Sequence, residues 1–217
     1  MNEFEHKILT YCFNGNALEL QRLLTTNPDL TTLWLDETDD LRTPYHIACE
    51  QGQVEIVKVL LKDKRFDVNQ GHTFGVTPLH YACYLSRMEI VELLLKEEQV
   101  NINQGDGRGR TPFYFACQFG NVDIVNHFLA SHKVVNFTIK DEEGKSPIDA
   151  AREGEKKEKS NWIREQDFQK QKRDYQNIIQ VLESYERDPN ETRTKLRIKL
   201  GFAGKFHSFI YYYFFFE

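Results

Sequence analysis

Apolar residues recur at offsets of three and four positions in three separate stretches of the chain. In each stretch four of them fall on what would be one face of a helix. They are Val54, Val57, Leu60 and Leu61, then Met88, Val91, Leu94 and Leu95, then Val122, Val125, Phe128 and Leu129. The pattern predicts three amphipathic helices, each with one buried stripe.

A shorter helix is predicted before each of these. The side chain of Thr or Ser can cap the free N–H groups of a first helical turn, and Pro at the first helical position lacks an N–H that would have no partner. Such pairs begin at Thr43, Thr77, Thr111 and Ser146. Gly52 and Gly120 fall where the short helix must turn back, a place that favours a left-handed residue. The predicted unit is therefore a pair of antiparallel helices.

The segment that joins one unit to the next is predicted to protrude as a hairpin-like turn, which we call a finger. Glycines lie two residues before the next helix start, at Gly75, Gly109 and Gly144. Glycine adopts positive φ angles readily, as tight turns require.

The cysteines indicate that the units are copies of one another. Cys12, Cys49, Cys83 and Cys117 are spaced 37, 34 and 34 residues apart, and a period of this size is typical of stacked repeats that share one core. Equivalent positions on packed helices are about 10 Å apart, whereas a disulfide needs Cα atoms within about 7 Å. We therefore expect four reduced, buried thiols rather than disulfides or metal ligands.

The sequence resembles the ankyrin repeat family, whose unit is a turn plus two helices with a Thr-Pro-Leu-His-x-Ala signature. Residues 77–82, Thr-Pro-Leu-His-Tyr-Ala, match this signature throughout. The tetratricopeptide family also has a 34-residue unit, but it lacks the Thr-Pro-x-His start and has its Pro at the end of the unit. The resemblance implies an all-α solenoid of antiparallel helix pairs and hairpin-like turns, with about five repeats and an extra C-terminal helical segment.

The resemblance also divides the chain into six segments. Residues 1–37 are predicted to be a degenerate N-terminal capping repeat, followed by full repeats at 38–72, 73–106 and 107–141. A C-terminal capping repeat with a charged helical insertion covers 142–187, and a basic, then aromatic tail covers 188–217. A long exposed helix is predicted from about 160 to 186, because one helical stripe runs through Phe168, Tyr175, Ile178, Leu182 and Tyr185.

Two departures from the family pattern concern glycine. Ser86 stands where the family has Gly between its two helices, which we expect to weaken local hydrogen bonding. The second helices also lack the usual closing Gly, and we therefore expect their ends to be longer or looser.

Composition and motifs argue against several classes of function. The net charge of -5 and the pI near 5.8 give no excess of Lys and Arg, so no nucleic-acid partner is expected. The N-terminus has no basic segment followed by an apolar one, which predicts no signal peptide and a cytoplasmic or nuclear protein. No transmembrane helix is predicted.

No catalytic motif, cofactor site or metal site is apparent, so we expect no enzyme. In the family the signature His bonds the neighbouring turn, which makes His46 and His80 structural. His127 and His132 are five residues apart and would not share one helical face. The glycines of residues 105–109 belong to a finger rather than to a phosphate-binding loop.

The resemblance implies a protein partner, bound on the concave face by the finger tips and the exposed side of each first helix. We expect a monomer. The predicted partner-binding residues are Asp39, Asp40, Arg42, Phe74, Val76, Tyr84, Leu85, Arg108, Arg110, Gln118 and Phe119. These positions differ from unit to unit, and aromatic residues and Arg dominate interface energetics. An alternative for Phe74, Tyr84, Leu85 and Phe119 is that they pack between adjacent units.

The tail leaves three interpretations open. Eight of the eleven residues 206–216 are Phe or Tyr, and five Lys or Arg residues precede them without an intervening acidic residue. The segment is too short to span a bilayer, but it could attach to a membrane surface and make the protein a membrane-peripheral adaptor. It could also dock on a partner or on the array itself, or have no evolved role.

Overall fold

The computed structural model describes residues 3–30, 41–160 and 162–202. Within these ranges the chain forms eleven α-helices and no strand. They are α1 (Glu3–Asn14), α2 (Ala17–Thr26), α3 (Pro44–Gln51), α4 (Val54–Lys62), α5 (Pro78–Tyr84), α6 (Met88–Lys96), α7 (Pro112–Gln118), α8 (Val122–Ala130), α9 (Pro147–Lys156), α10 (Glu165–Arg187) and α11 (Pro189–Lys199).

The first ten helices form five antiparallel pairs that stack in two layers. Helices α1, α3, α5, α7 and α9 contact one another in succession and form the inner layer, while α2, α4, α6, α8 and α10 form the outer layer in the same way. The all-α solenoid predicted from the sequence is therefore confirmed.

The predicted starts and turns occur at the predicted residues. Pro is the first residue of α3, α5, α7 and α9, and the residue before it has an extended backbone in each case. Gly52 and Gly120 turn the inner helices back with φ angles of 75° and 72°. Ser86 adopts the same left-handed conformation at φ 55°, and its hydroxyl donates to Asn121 Oδ1 at 2.6 Å.

The core is one continuous layer between the inner and outer helices. All four cysteines are fully buried in it with free thiols, and burial raises the thiol pKa of each. The largest fully buried side chains include Tyr45, Phe113, Phe128 and Tyr175. The repeated cysteines and apolar stripes of the sequence therefore form the core or pack against it.

Cationic side chains from later in the chain close three of the outer helices, where the family has glycine. The Arg65 guanidinium donates to the carbonyls of Leu24 and Asn27 at the end of α2, at 3.1 and 2.8 Å. Lys133 Nζ donates to the carbonyls of Glu97 and Val100 beyond α6, at 2.5 and 2.6 Å. Arg193 Nε donates to Leu129 O of α8 at 3.2 Å. The structure thus fixes these helix ends with side chains, in place of the looseness expected from the missing glycines.

The C-terminal helices differ in part from the prediction. Helix α10 begins at Glu165 rather than near residue 160, and its buried stripe comprises Tyr175, Ile178, Leu182 and Tyr185, with Phe168 only half-buried. Helix α11 falls in the segment predicted as tail. It starts at Pro189 and is capped by Asp188, whose carboxylate accepts from Glu191 N at 2.9 Å. The helix packs against α8 and α10.

Three predictions fall on residues that the structure does not describe. Asp39, Asp40 and the aromatic tail from residue 203 onward lie outside the described ranges. Among the helices of those ranges, none combines the length and the apolar character needed to cross a bilayer.

Candidate interaction surface

The three fingers that precede α5, α7 and α9 are each closed by their own backbone, and neighbouring fingers among them are joined by hydrogen bonds. Gly75, Gly109 and Gly144 donate their N–H groups to the carbonyls of His72, Asp106 and Asp141, at 2.7, 2.9 and 2.9 Å. Between fingers, Gly107 N donates to Phe74 O at 2.7 Å and Glu142 N donates to Arg108 O at 2.8 Å. Three successive fingers therefore form one hydrogen-bonded row.

An aspartate organises the inside of two fingers. Asp106 Oδ1 accepts from the backbone N–H groups of Arg108 and Arg110 at 3.0 and 2.9 Å. Asp141 Oδ1 accepts equivalently from Glu143 and Lys145. Burial opposes the charge on Asp141, but these N–H donors and a bond from the Tyr114 hydroxyl outweigh it and lower the pKa of the carboxyl group.

The signature histidines tie each inner helix to the following finger. The Nδ1 atoms of His46 and His80 accept from the N–H groups of Thr43 and Thr77 at 3.0 Å. The Nε2 atoms therefore carry the proton and donate to the carbonyls of Val76 and Arg110, both at 2.8 Å. Burial lowers the pKa of His80 to about 4, which keeps its ring neutral.

Tyr114 takes over this connection in the third full unit. Its hydroxyl donates to Asp141 Oδ2 at 2.8 Å, so the tyrosine reaches the next finger as the histidines do. The fingers are consequently anchored to the inner helices in all three units, and the side chains at their tips are presented from a fixed backbone.

The arginines predicted to bind a partner all contact carboxylates of the chain. Arg110 Nε and Nη2 donate to Asp106 Oδ2 at 2.9 and 2.7 Å, and its guanidinium lies 4.7 Å from the centre of the Phe115 ring. Arg42 Nη1 is 2.8 Å from Glu50 Oε2. Arg108 Nε is 3.3 Å from Glu142 Oε1, and the Arg108 side chain is 63% exposed. Of the three, Arg108 offers most of its surface to solvent.

The aromatic residues of the predicted site are exposed. Phe74, Tyr84 and Phe119 are 64%, 47% and 41% exposed, and we call these three residues the aromatic patch. Tyr84 and Phe119 come from adjacent units, and their ring centres are 4.6 Å apart in an edge-to-face arrangement. The patch has two parts, since Phe74 lies in a finger and Tyr84 ends α5, a helix about 10 Å long.

The structure divides the remaining predicted residues between these two parts. Val76, Arg108 and Arg110 line an open groove between the fingers together with Phe74. Leu85 and Gln118 are half-buried and lie next to Tyr84 and Phe119 in the chain.

Four residues of this surface were missed by the sequence analysis. The Tyr81 ring packs against His72 and the Phe115 ring packs against His80, with ring centres 5.8 and 5.2 Å apart respectively. Their signal was readable, because both are aromatic and occupy equivalent positions 34 residues apart. His72 and Asp106 gave no such signal, because their roles depend on the fold of the finger.

The described part of the chain brings together no group of three His, Cys, Asp or Glu side chains that could hold a metal ion. The exposed residues offer aromatic ring faces and the largely exposed guanidinium of Arg108. These groups suit contact with another polypeptide.

Two family models match the sequence. A model of ankyrin repeats in three copies matches residues 8–106, and a model of ankyrin repeats in many copies matches residues 93–151. A comparison with curated proteins gave no match.

Proposed function

The chain belongs to the ankyrin repeat family, whose members are generally protein–protein interaction modules, and we propose that it is a non-enzymatic adaptor that binds a protein partner through its inner face. The proposed contact surface consists of the finger tips and the exposed side of the inner helices. The protein would act as a monomer in the cytoplasm or nucleus.

The exposure of the aromatic patch carries this proposal. The residues that recur between units are buried in the core, whereas Phe74, Tyr84 and Phe119 are large apolar residues that stay exposed at positions that vary. Large apolar groups held by a rigid backbone are typical of binding sites, because little conformational entropy is lost when a partner is bound. Buried aromatic anchors contribute about 2 kcal/mol or more each at protein interfaces.

The ion pairs indicate what kind of partner the surface suits. Arg42 and Arg110 are engaged by Glu50 and Asp106 at hydrogen-bonding distance and are largely buried, so a partner would gain little by pairing with them. Apolar side chains of the partner would therefore supply most of the affinity, with Arg108 as an additional polar contact. A partner that contacts both parts of the patch must span at least the length of α5, about 10 Å.

The test is a triple substitution in the proposed surface. Phe74→Ala, Tyr84→Ala and Arg108→Ala together remove exposed side chains only, so the thermal unfolding temperature should stay nearly unchanged. We expect the variant to lose the proteins that the unmodified chain retains from a native lysate, as identified by mass spectrometry.

A matched control comes from the opposite side of the molecule. Lys62→Ala, Val134→Ala and Ile198→Ala also remove three exposed side chains, and this variant should retain the partner. Equal retention by both triple variants would remove the inner face as the binding surface.

A membrane-peripheral adaptor is the second candidate function. It is favoured by the positive charge of α11 and the residues after it, where Arg193, Lys195, Arg197, Lys199 and Lys205 precede the aromatic residues. Lys195 pairs with Glu191 at 2.6 Å, and Arg193 Nε donates to Leu129 O at 3.2 Å. Flotation with anionic vesicles, compared between the full chain and a version that stops at Gly204, tests this candidate.

A further inference from the structure

A second surface lies on the outer layer, away from the proposed partner site. The ends of α6, α8 and α11 enclose a groove of about 370 Å³, within the size range of protein sites that receive apolar groups. Leu95 and Ala130 are buried beneath it, and Leu200 and Phe202 form one wall. We call this the outer groove.

The end of the described chain is held at this groove. Arg193 anchors α11 to Leu129 O of α8. Beyond the helix, the Phe202 ring stands edge-on to His127, with ring centres 5.6 Å apart. His127 Nε2 in turn lies 3.2 Å from Glu92 Oε1 of α6. The backbone at residue 202 is therefore fixed at the wall of the groove, and the next residue must start from there.

The sequence that follows is strongly apolar. Ala203, Gly204 and Lys205 are followed by residues 206–216, of which eight of eleven are Phe or Tyr. A segment with so many aromatic residues gains free energy by leaving water, at about 25 cal/mol for each Å² of apolar surface buried. Fifteen residues reach at most about 50 Å when extended, so the whole outer groove is within reach.

We propose that aromatic rings of the segment 203–217 occupy the outer groove of their own chain. The short connection favours this over binding between molecules, because a short flexible linker holds its segment at an effective concentration in the millimolar range. The groove offers apolar walls for the rings, and the exposed side chains of Lys96 and His132 at its edge offer polar partners for tyrosine hydroxyls. Because this contact lies on the outer layer, it is independent of the proposed partner-binding surface, and it competes with the membrane contact of the second candidate function.

Amide hydrogen exchange on the intact chain tests the proposal. The comparison is with a variant of equal length in which the eight Phe and Tyr residues of 206–216 are replaced by Ser. We expect amides in the last turns of α6 and α8 and at residues 200–202 to exchange about tenfold or more slowly in the unmodified chain. Amides of α3 and α5 should exchange equally in both. The protection should be independent of protein concentration, and the unmodified chain should sediment as a monomer.

A substitution in the wall of the groove gives a second, independent result. Leu200→Ser should abolish the protection in the unmodified tail background. Ile198→Ser is the matched control, because Ile198 is exposed on α11 and does not line the groove, and it should leave the protection in place.

Three outcomes would overturn the proposal. The first is equal exchange in the unmodified chain and the Ser variant. The second is protection that increases with protein concentration together with sedimentation as a dimer, which would assign the segment to a second copy. The third is protection that appears only with vesicles of phosphatidylcholine and phosphatidylserine, which would assign it to a membrane surface.

Discussion

His80 should make the stability of the fold depend on pH. Its ring is fully buried and accepts from Thr77 N at Nδ1 while Nε2 donates to Arg110 O. A proton added at Nδ1 would remove the acceptor and place an unsolvated charge in the interior. Burial accordingly lowers the pKa of the folded ring to about 4, from an ordinary value of 6.5.

The size of the effect follows from these two pKa values. Below pH 6.5 the unfolded chain takes up a proton on this ring, whereas the folded protein does so only near pH 4. The contribution of His80 to stability is therefore fully present above pH 6.5 and decreases as the pH falls, by up to about 1.4 kcal/mol per pH unit. Between pH 7 and pH 5 the expected loss from this one group is about 2 kcal/mol.

Urea denaturation followed by circular dichroism at pH 7 and pH 5 measures the effect. His80→Gln removes the titrating group, so the variant should lose about 2 kcal/mol less than the unmodified protein between the two pH values. His6→Gln is the control, because His6 is exposed, and it should behave like the unmodified protein. If the loss between pH 7 and pH 5 is the same with and without His80, the neutral buried ring and its two hydrogen bonds are refuted.

Three further predictions concern packing, helix ends and the core. Gly154→Ala should destabilise the protein by about 1–3 kcal/mol, because a Cβ atom at Gly154 would overlap the Tyr175 ring. Thermal unfolding measures the change. A variant that is more stable, as expected for an exposed helical glycine, would contradict the packing of α10 on α9. Lys133→Met should cost about 1–2 kcal/mol by leaving the carbonyls of Glu97 and Val100 without their charged donor, and Lys133→Arg should recover part of it in the same assay. The four thiols should react with a maleimide far more slowly in the native protein than in denaturant, since all are buried; equal rates would exclude a shared interior.

Local signals made the repeating part of the fold predictable. The Thr-Pro helix starts, the finger glycines and the apolar stripes act over a few residues, and each recurs in several units, so an accidental match in one unit is corrected by the others. The left-handed turn between the two helices persists where Ser86 stands in place of Gly.

Contacts between distant residues were not predictable in the same way. Arg65 and Lys133 look like ordinary surface charges in the sequence, and only the stacking of units brings them to the carbonyls of earlier helices. Helix α11 is predominantly polar and buries only Thr192 and Leu196, so its apolar pattern is weak. Its start was nevertheless readable, because Asp188 and Pro189 are a cap followed by Pro at the first helical position.

The predicted binding site shows the same division. The exposure of Phe74, Tyr84 and Phe119 agrees with variable positions on a repeated scaffold. The contact of Arg110 with Asp106 was not predictable, because a separation of four positions in sequence gives no distance between the two side chains until the finger folds. The folded finger determines which side chains form contacts within the chain. Those side chains have less to offer a partner.

Site-specific photo-crosslinking tests the central claim that the inner face is the recognition surface. A benzophenone amino acid is placed in turn at each of three inner positions, Phe74, Tyr84 and Phe119. Two outer comparison positions of similar exposure are Val134 and Ile198. The crosslinks show which side of the array contacts the partner. The account predicts covalent capture of one and the same protein from the three inner positions and none from the two outer ones. Capture from the outer positions alone would contradict it.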